Sequence, residues 1–339
     1  MSKLYVAGDI SKEKIDFCIY DGKKYLLTRQ VKNTKQDLKK FVKEVDGFYK
    51  GAEDSNIYDE CIFLFEYTGI YNNLILDVID SKGYKVALIH PGALKAVVTV
   101  DRNKTDEYDS KKIAEYGFRF NDKLTYVTKD SNDLKELKTL VTERASLVKM
   151  KSQITQKKDD QEKFLPTSIY MWLKKNNESI ISEINSGIQK IEKRIEDILK
   201  SKNDLKENYS ILLSVPGIGP VTAAGLISCT DNFKKFNSAK QLGSYCGVVP
   251  FERSSGAYKG KRQVSMKANK SIKTLLHLGA LSLTSSKNFF GTYYRRKVEE
   301  GKNKMCALNN LRNKIITTAF ACVTKKQKYN SEYKFSFAA

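Results

Sequence analysis

Four acids and a pair of serines are the residues whose types and spacing could do chemistry here. Asp9 closes the run Val6-Ala7-Gly8-Asp9, and Glu66 closes Cys61-Ile62-Phe63-Leu64-Phe65-Glu66, so both carboxylates are expected at the ends of strands in one sheet. Asp106 and Asp109 stand three apart in Lys104-Thr105-Asp106-Glu107-Tyr108-Asp109, at the start of a predicted helix, which puts them on one face. Such clustered oxygen ligands suit Mg2+ or Mn2+. Two such ions ~3.5 to 4 Å apart can clamp the attacking and leaving oxygens of a phosphodiester. Each acid also has an ordinary reading, because Asp at a strand end turns the chain and Asp near a helix start caps it. Glu66 is harder to dismiss, since it follows five apolar residues in a run expected to be buried, where an unpaired carboxylate is costly.

Ser254 and Ser255 lie in the basic tract Glu252-Arg253-Ser254-Ser255-Gly256-Ala257-Tyr258-Lys259-Gly260-Lys261-Arg262, read as a flexible loop. Serine is a weak nucleophile without a base or metal to activate it, and no histidine is near in sequence. Read alone, Ser-Ser-Gly is a turn. Arg253, Lys259, Lys261 and Arg262, with Lys267 and Lys270 beyond them, are candidates to hold a phosphate backbone. So are Gly217 and Gly219 in Pro216-Gly217-Ile218-Gly219-Pro220, where a glycine turn before an Ala-rich helix lets the backbone approach a phosphate. A plain tight turn fits that pentapeptide equally well. Tyr293-Tyr294-Arg295-Arg296 invites a tyrosine-nucleophile reading, but the surrounding Arg and His constellation is missing, so it is read as a contact or packing segment. The six cysteines (18, 61, 229, 246, 306, 322) form no CxxC pair and only His90 and His277 could assist them, so all six are read as structural.

The elements that must position these groups fall into three parts. Up to about residue 125, strands at Lys3 to Asp9, Ile15 to Tyr20 and Lys24 to Val31 precede a helix at Gln36 to Val45. A strand at Cys61 to Glu66, a helix at Tyr71 to Ser81 and a strand at Lys85 to His90 follow. Three hairpin-linked strands and then alternating helices and strands imply a mixed sheet covered by helices, the order of an RNase H-like fold. Residues 126–207 read as a helical insertion: Ile180, Ile184, Ile188, Ile191, Ile195 and Ile198 recur at spacings of four and three, with a weaker upstream stripe at Leu134, Leu137, Val141 and Val148. An intrachain helical hairpin and an intermolecular coiled coil both fit that narrow seam. A two-residue-wide seam favours a partner helix. Residues 208–339 read as a mostly helical, basic unit opened by a helix-turn-helix signal. Arg253 to Val298 contains no Asp or Glu, where average composition would place about five.

The whole chain of 339 residues carries a formal charge of +21, which points to a polyanionic partner, with nucleic acid first. No stretch approaches the ~20 apolar residues of a bilayer span. The start, Met1-Ser2-Lys3-Leu4-Tyr5, lacks the features of a signal peptide, so a bacterial cytoplasmic, nucleoid-associated protein is expected.

Six segments, in order, resemble the DEDD-type insertion-sequence transposases, the bridge-RNA-guided recombinases related to pilin-gene invertases. They are GDISKEKIDFCIYDG, FEYTGIYNNLILDVIDSKGYKVALIHPGALKAV, NKTDEYDSKKIAEYG, VPGIGPVTAAGLIS, FNSAKQLGSYCGVVPFERSSG and VSMKANKSIKTLLHLGAL. The resemblance implies a RuvC-like domain, a coiled-coil insertion and a C-terminal transposase domain with a helix-hairpin-helix-like unit. By it, Asp9, Glu66, Asp106 and Asp109 become the metal-binding catalytic tetrad, and Ser255, the serine directly before glycine, the nucleophile. Asp101, close by, is read as loop. The implied activity is Mg2+-dependent cutting and rejoining of donor and target DNA through a phosphoserine link, with a structured guide RNA as partner and a dimer or a tetramer built as a dimer of dimers. Two other readings stay open: a Holliday-junction-type nuclease using water, and a non-catalytic nucleic-acid-binding protein whose acids are caps.

Overall fold

The computed structural model describes residues 3–48, 60–97, 106–127, 132–255 and 258–331. The chain packs as two compact units, Met1–Lys129 and Asp130–Ala339.

In the first unit, β1 (Leu4–Ile10), β2 (Lys14–Tyr20) and β3 (Tyr25–Lys32) form an antiparallel meander. Then β4 (Cys61–Glu66) adds parallel to β1 on its other edge, and β5 (Lys85–Ile89) adds parallel to β4. The sheet order β3-β2-β1-β4-β5 is the mixed arrangement expected of an RNase H-like fold. Strands β1 and β4 are central, which is why they read as near-continuous apolar runs: both faces are covered. One face packs Val6, Phe17, Phe63 and Phe65 against α1 (Lys35–Gly47) and α2 (Asn73–Asp80). The opposite face packs Tyr5, Ala7, Ile62, Leu64 and Ala87 against Ile113 and Ala114 of α4 (Asp106–Arg119); α3 (Pro91–Val97) comes between α2 and α4 in sequence. Thr34 starts α1 by accepting a hydrogen bond from the Asp37 N–H, as a helix N-cap should.

Helix α4 lies hard against the sheet because Gly117 has no side chain. A Cβ there would come within 2.0 Å of Leu64 Cδ1.

The second unit opens with a helical hairpin, α5 (Asn132–Phe164) and α6 (Thr167–Ser201), broken at Leu165-Pro166 where proline cannot continue a helix. The two helices pack on each other within the chain, so the isoleucine stripe has an intrachain partner. Ile188, Ile195 and Ile198 are buried, and Arg144 pairs with Glu192 and Arg194 with Glu136, both at 2.7 Å, while Lys151 donates to Asn185. The seam opens towards the tip, where Phe164 is 80% and Trp172 68% exposed. At its base, Leu134, Leu137, Ile195, Ile198 and Leu199 belong to the same core as the C-terminal helices, so the segment at 126–207 is rooted in the unit that follows it. Those helices are α7 (Asn203–Ser214), α8 (Pro220–Cys229), α9 (Ala239–Tyr245), α10 (Lys270–Leu283), α11 (Phe289–Glu299) and α12 (Lys304–Thr324). A two-stranded ribbon, β6 (Pro250–Ser255) and β7 (Tyr258–Val264), is inserted between α9 and α10.

Candidate active site

Register and alternation bring three of the four predicted acids to one face of the sheet. Gly8 on β1 pairs with Phe65 on the parallel strand β4, so the next residue on each strand, Asp9 and Glu66, are neighbours at adjacent strand ends. Side chains alternate along a strand, which puts Asp9 with Tyr5 and Ala7, and Glu66 with Ile62 and Leu64, on the side covered by α4. On α4, Ile113 is buried against that face, and Asp109 lies one turn earlier on the same stripe. Asp106 begins α4; its side chain lies outside the described residues, as does Asp101. Asp9, Glu66 and Asp109 are each half-buried. Among the described residues no group of three or more His, Cys, Asp or Glu is gathered tightly enough to hold a metal ion. The donor types on this face, carboxylate oxygens on rigid strand ends, fit a hard divalent cation rather than zinc.

Several neighbours of these acids escaped sequence reading. Asp16 on β2 lies directly opposite Asp9 and therefore shares its face; it pairs with Lys14 at 3.5 Å and accepts from Gln30 at 2.9 Å. Hairpin register across the turn at residues 11–13 would have revealed it. Asp109 accepts a 3.0 Å contact from Lys112, whose ammonium also lies 4.2 Å from the Tyr108 ring centre.

Behind the strand ends sits a network of asparagines. Asn72, 1% exposed, donates from Nδ2 to the Glu66 carbonyl at 3.0 Å, and its Oδ1 accepts from both the Thr68 N–H and the Thr68 hydroxyl at 2.8 Å. Asn33 donates to the Ser11 carbonyl at 3.1 Å and the Tyr71 carbonyl at 3.4 Å. The chain just past Asp9 is thereby tied to the chain just past Glu66. No sequence signal marks these asparagines, because most of their partners are backbone atoms, and those of Asn33 lie 22 and 38 residues away along the chain.

The serine tract departs from its expected form. Ser254 and Ser255 end strand β6, paired with Lys259 and Tyr258 of β7, instead of lying in a loop. A run of polar and basic residues with no apolar alternation hid the strand. The side chains of Arg253, Ser254, Ser255, Lys259, Lys261 and Arg262 lie outside the described residues. Lys267 and Lys270 are exposed at the start of α10.

The Pro216–Pro220 segment is a tight turn between α7 and α8. Gly217 adopts φ +85°, the left-handed region glycine favours, and Gly219 precedes α8, with Pro220 in its first turn. Helix α10 crosses so close that a Cβ on Gly279 would stand 2.0 Å from the Gly217 carbonyl oxygen. A cleft of about 580 Å³ runs beside this turn, lined by Gly217, Gly219, Thr274 and Ser282 and, from the hairpin, Arg144 and Val148.

The remaining sequence candidates are accounted for by packing. Arg295 donates to the carbonyls of Thr284 and Ser286 at 3.1 and 2.8 Å, closing the end of α10, and Tyr293 and Tyr294 pack on the C-terminal core. Cys18, Cys61 and Cys246 are buried, and burial pushes the Cys61 thiol up to about 12. Cys306 is exposed on α12, so it is not the core side chain that was expected. Among the described residues no helix is long and apolar enough to cross a membrane.

Comparison with known proteins bears on both units. Residues 6–161 match the model of DEDD-type IS110 transposases, and residues 209–295 match that of the transposase IS116/IS110/IS902 family. The pilin gene-inverting protein of Moraxella bovis is similar over nearly its whole length, 23% identical over 97% of this chain and 98% of that one. The transposase for insertion sequence element IS1111A of Coxiella burnetii is 28% identical over 40% of this chain and 38% of its own. Among solved structures, Thermus thermophilus RuvC in complex with a Holliday junction substrate aligns at 11% identity over 37% of this chain and all of that chain, with a TM-score of 0.29. The RNase H-like reading rests on strand order and direction, not on that superposition. Two models matching in tandem, one over the carboxylate-bearing sheet and one over the glycine turn and the serine ribbon, establish that the chain belongs to the IS110/IS116/IS902 transposases, enzymes that recombine DNA.

Proposed function

We propose that the chain cuts and rejoins the DNA of an insertion element through a covalent phosphoserine intermediate, with a divalent cation at the carboxylates and a structured RNA as guide. What carries this reading is the convergence of Asp9, Glu66 and Asp109 on the α4 face of the sheet, with Asp106 at the head of the same helix. A bound Mg2+ or Mn2+ would supply charge that orients the scissile phosphate and stabilises its transition state. Asp9 and Glu66 would hold that ion from rigid strand ends, and Asp106 and Asp109 from α4. Ser255 Oγ attacks phosphorus; the Oγ–P bond forms, one P–O ester bond breaks, and the departing DNA hydroxyl takes up a proton equivalent to the one the serine gives up. Reversal against a second DNA end restores the serine and conserves the ester. Arg253, Lys259, Lys261, Arg262, Lys267 and Lys270 neutralise the backbone along the ribbon, and the glycine turn at Gly217 and Gly219 admits it closely.

The carboxylates and the serine belong to different units, and the working enzyme is a dimer or tetramer that brings them onto one phosphate. The exposed apolar side chains at the tip of the α5–α6 hairpin support association with a second copy.

The test is a denaturing gel of purified protein with Mg2+, its element's end DNA and the RNA from the flanking region. Wild type should give a protein–DNA adduct that needs RNA and metal and vanishes in both Ser255→Ala and Asp9→Asn. Cleavage without adduct, unchanged in Ser255→Ala, would instead establish a nuclease that uses water.

A further inference from the structure

On α10 and α12 of the second unit, two buried side-chain nitrogens have no hydrogen-bond partner among the described residues, Arg312 Nε and His277 Nδ1. Arg312 on α12 is only 6% exposed, and its Nε is buried with no hydrogen-bond partner. Burial pulls its pKa down, and no carboxylate is among the charges acting on it. Lys273, in the first turn of α10, is lowered by burial and then by Arg312 itself, so the two cations are near enough to repel. His277, one turn further along the same face of α10, keeps Nδ1 buried and unpartnered.

Burying the Arg312 guanidinium without a counter-charge, with the half-buried Lys273 ammonium close by, is unfavourable, and a fold that does so is prepared for an anion. Its surroundings fix where that anion would lie. The Lys273 ammonium stands 3.7 Å from where a Cβ on Gly247 would be. The segment from Tyr245 to Val248 is pinned to both helices: Asn269, the cap of α10, donates from its backbone N–H to the Tyr245 carbonyl at 2.9 Å, and Asn309, one turn before Arg312, donates to the Val248 carbonyl at 2.8 Å. Strand β6 begins two residues later, at Pro250, opposite Val264 at the end of β7. The cation pair therefore sits at the foot of the serine ribbon. Lys267 and Lys270 stand beside it, the start of α10 adds its partial positive charge, and the sequence from 253 to 298 offers no acid to compete.

We propose that Lys273 and Arg312 form a seat for one phosphodiester of the DNA strand that passes the foot of the β6–β7 ribbon. Arginine supplies a forked donor and lysine a point charge, the combination suited to a phosphate held without reading its base. The choice of DNA as the strand rests on the phosphoserine reading; the seat itself rests on the cation pair.

Two measurements on the full chain test it, using wild type, Arg312→Met and Lys273→Met. The first is the melting temperature in inorganic phosphate against chloride at matched ionic strength, without nucleic acid. Phosphate should raise the wild-type value and neither variant's, and Arg312→Met should melt no lower than wild type in chloride, because it removes a desolvated charge. The second is the dependence of log K on log salt for end-sequence duplex and for the flanking-region RNA. Each variant should lose about 0.9 from the DNA slope, one phosphate contact, and leave the RNA slope unchanged. Phosphate stabilisation that survives in both variants, an unchanged DNA slope, or a loss confined to RNA would each overturn the proposal. If Arg312→Met fails to fold, Lys273→Met, half-buried in the first turn of α10, still decides it. Neither measurement needs an adduct, so failure of Ser255 as nucleophile reads out separately.

Discussion

Asn72 is the residue on which the position of Glu66 depends most directly. Its one side chain satisfies the Glu66 carbonyl, the Thr68 N–H and the Thr68 hydroxyl in a buried site. Asn72→Ala would strand three polar groups, and leaving a buried group unpaired costs about 1 to 3 kcal/mol. The expected signature is a loss of turnover of about tenfold or more, a rise in the Mg2+ concentration needed for half-maximal cleavage, and little change in DNA affinity. Metal titration of cleavage checks it: an unchanged metal requirement would reduce Asn72 to a structural role.

At the scale of elements, the decisive contact is α4 on β4. Gly117→Ala would drive a methyl into Leu64 Cδ1, and Leu64 is fully buried and cannot swing clear. Overpacking of this kind costs about 1 to 3 kcal/mol, and it would shift the helix that carries Asp106 and Asp109. Leu64→Ala alone opens a cavity. The double variant should be less destabilised than the sum of the two, and should regain part of the cleavage lost in Gly117→Ala; additive melting shifts would argue against the contact. The central strands of this sheet were legible in the sequence because β1 and β4 are buried on both faces, so their boundaries fall within a residue or so of expectation. Asp9 and Glu66 stood out for the same reason, each closing an apolar run, whereas Asp109 lies in a polar stretch and was marked by its spacing from Asp106 and by the family resemblance. The β6–β7 ribbon was not legible, since its residues carry no apolar alternation, and neither were Asp16, Lys112 and the asparagines, whose importance arises from register and from hydrogen-bond partners. The pairing of the isoleucine seam could not be read at all. A narrow stripe has the same periodicity whether its partner is in the same chain or another.

For the whole molecule the open apolar surface at the hairpin tip is the feature with the largest expected effect. Phe164 and Trp172 are largely exposed, and large exposed apolar patches mark association sites. Phe164→Ser together with Trp172→Ser should leave the melting temperature nearly unchanged, because neither side chain contributes to a core, and should lower the molecular mass seen in sedimentation. Adduct formation should fall with it if the carboxylates and serine that act on one phosphate come from different copies. An unchanged mass would exclude the tip as the site of association.

The rooting of the hairpin gives it a mechanical meaning as well. At about 1.5 Å per residue, the 33 residues of α5 reach about 50 Å, a rod whose near end is set in the C-terminal core. Arg144 and Val148 sit close to the fulcrum, on the wall of the cleft that also contains Gly217 and Gly219. If a second copy docks at the tip, as proposed above, torque it applies would act at that wall, which would link association to the cleft beside the glycine turn.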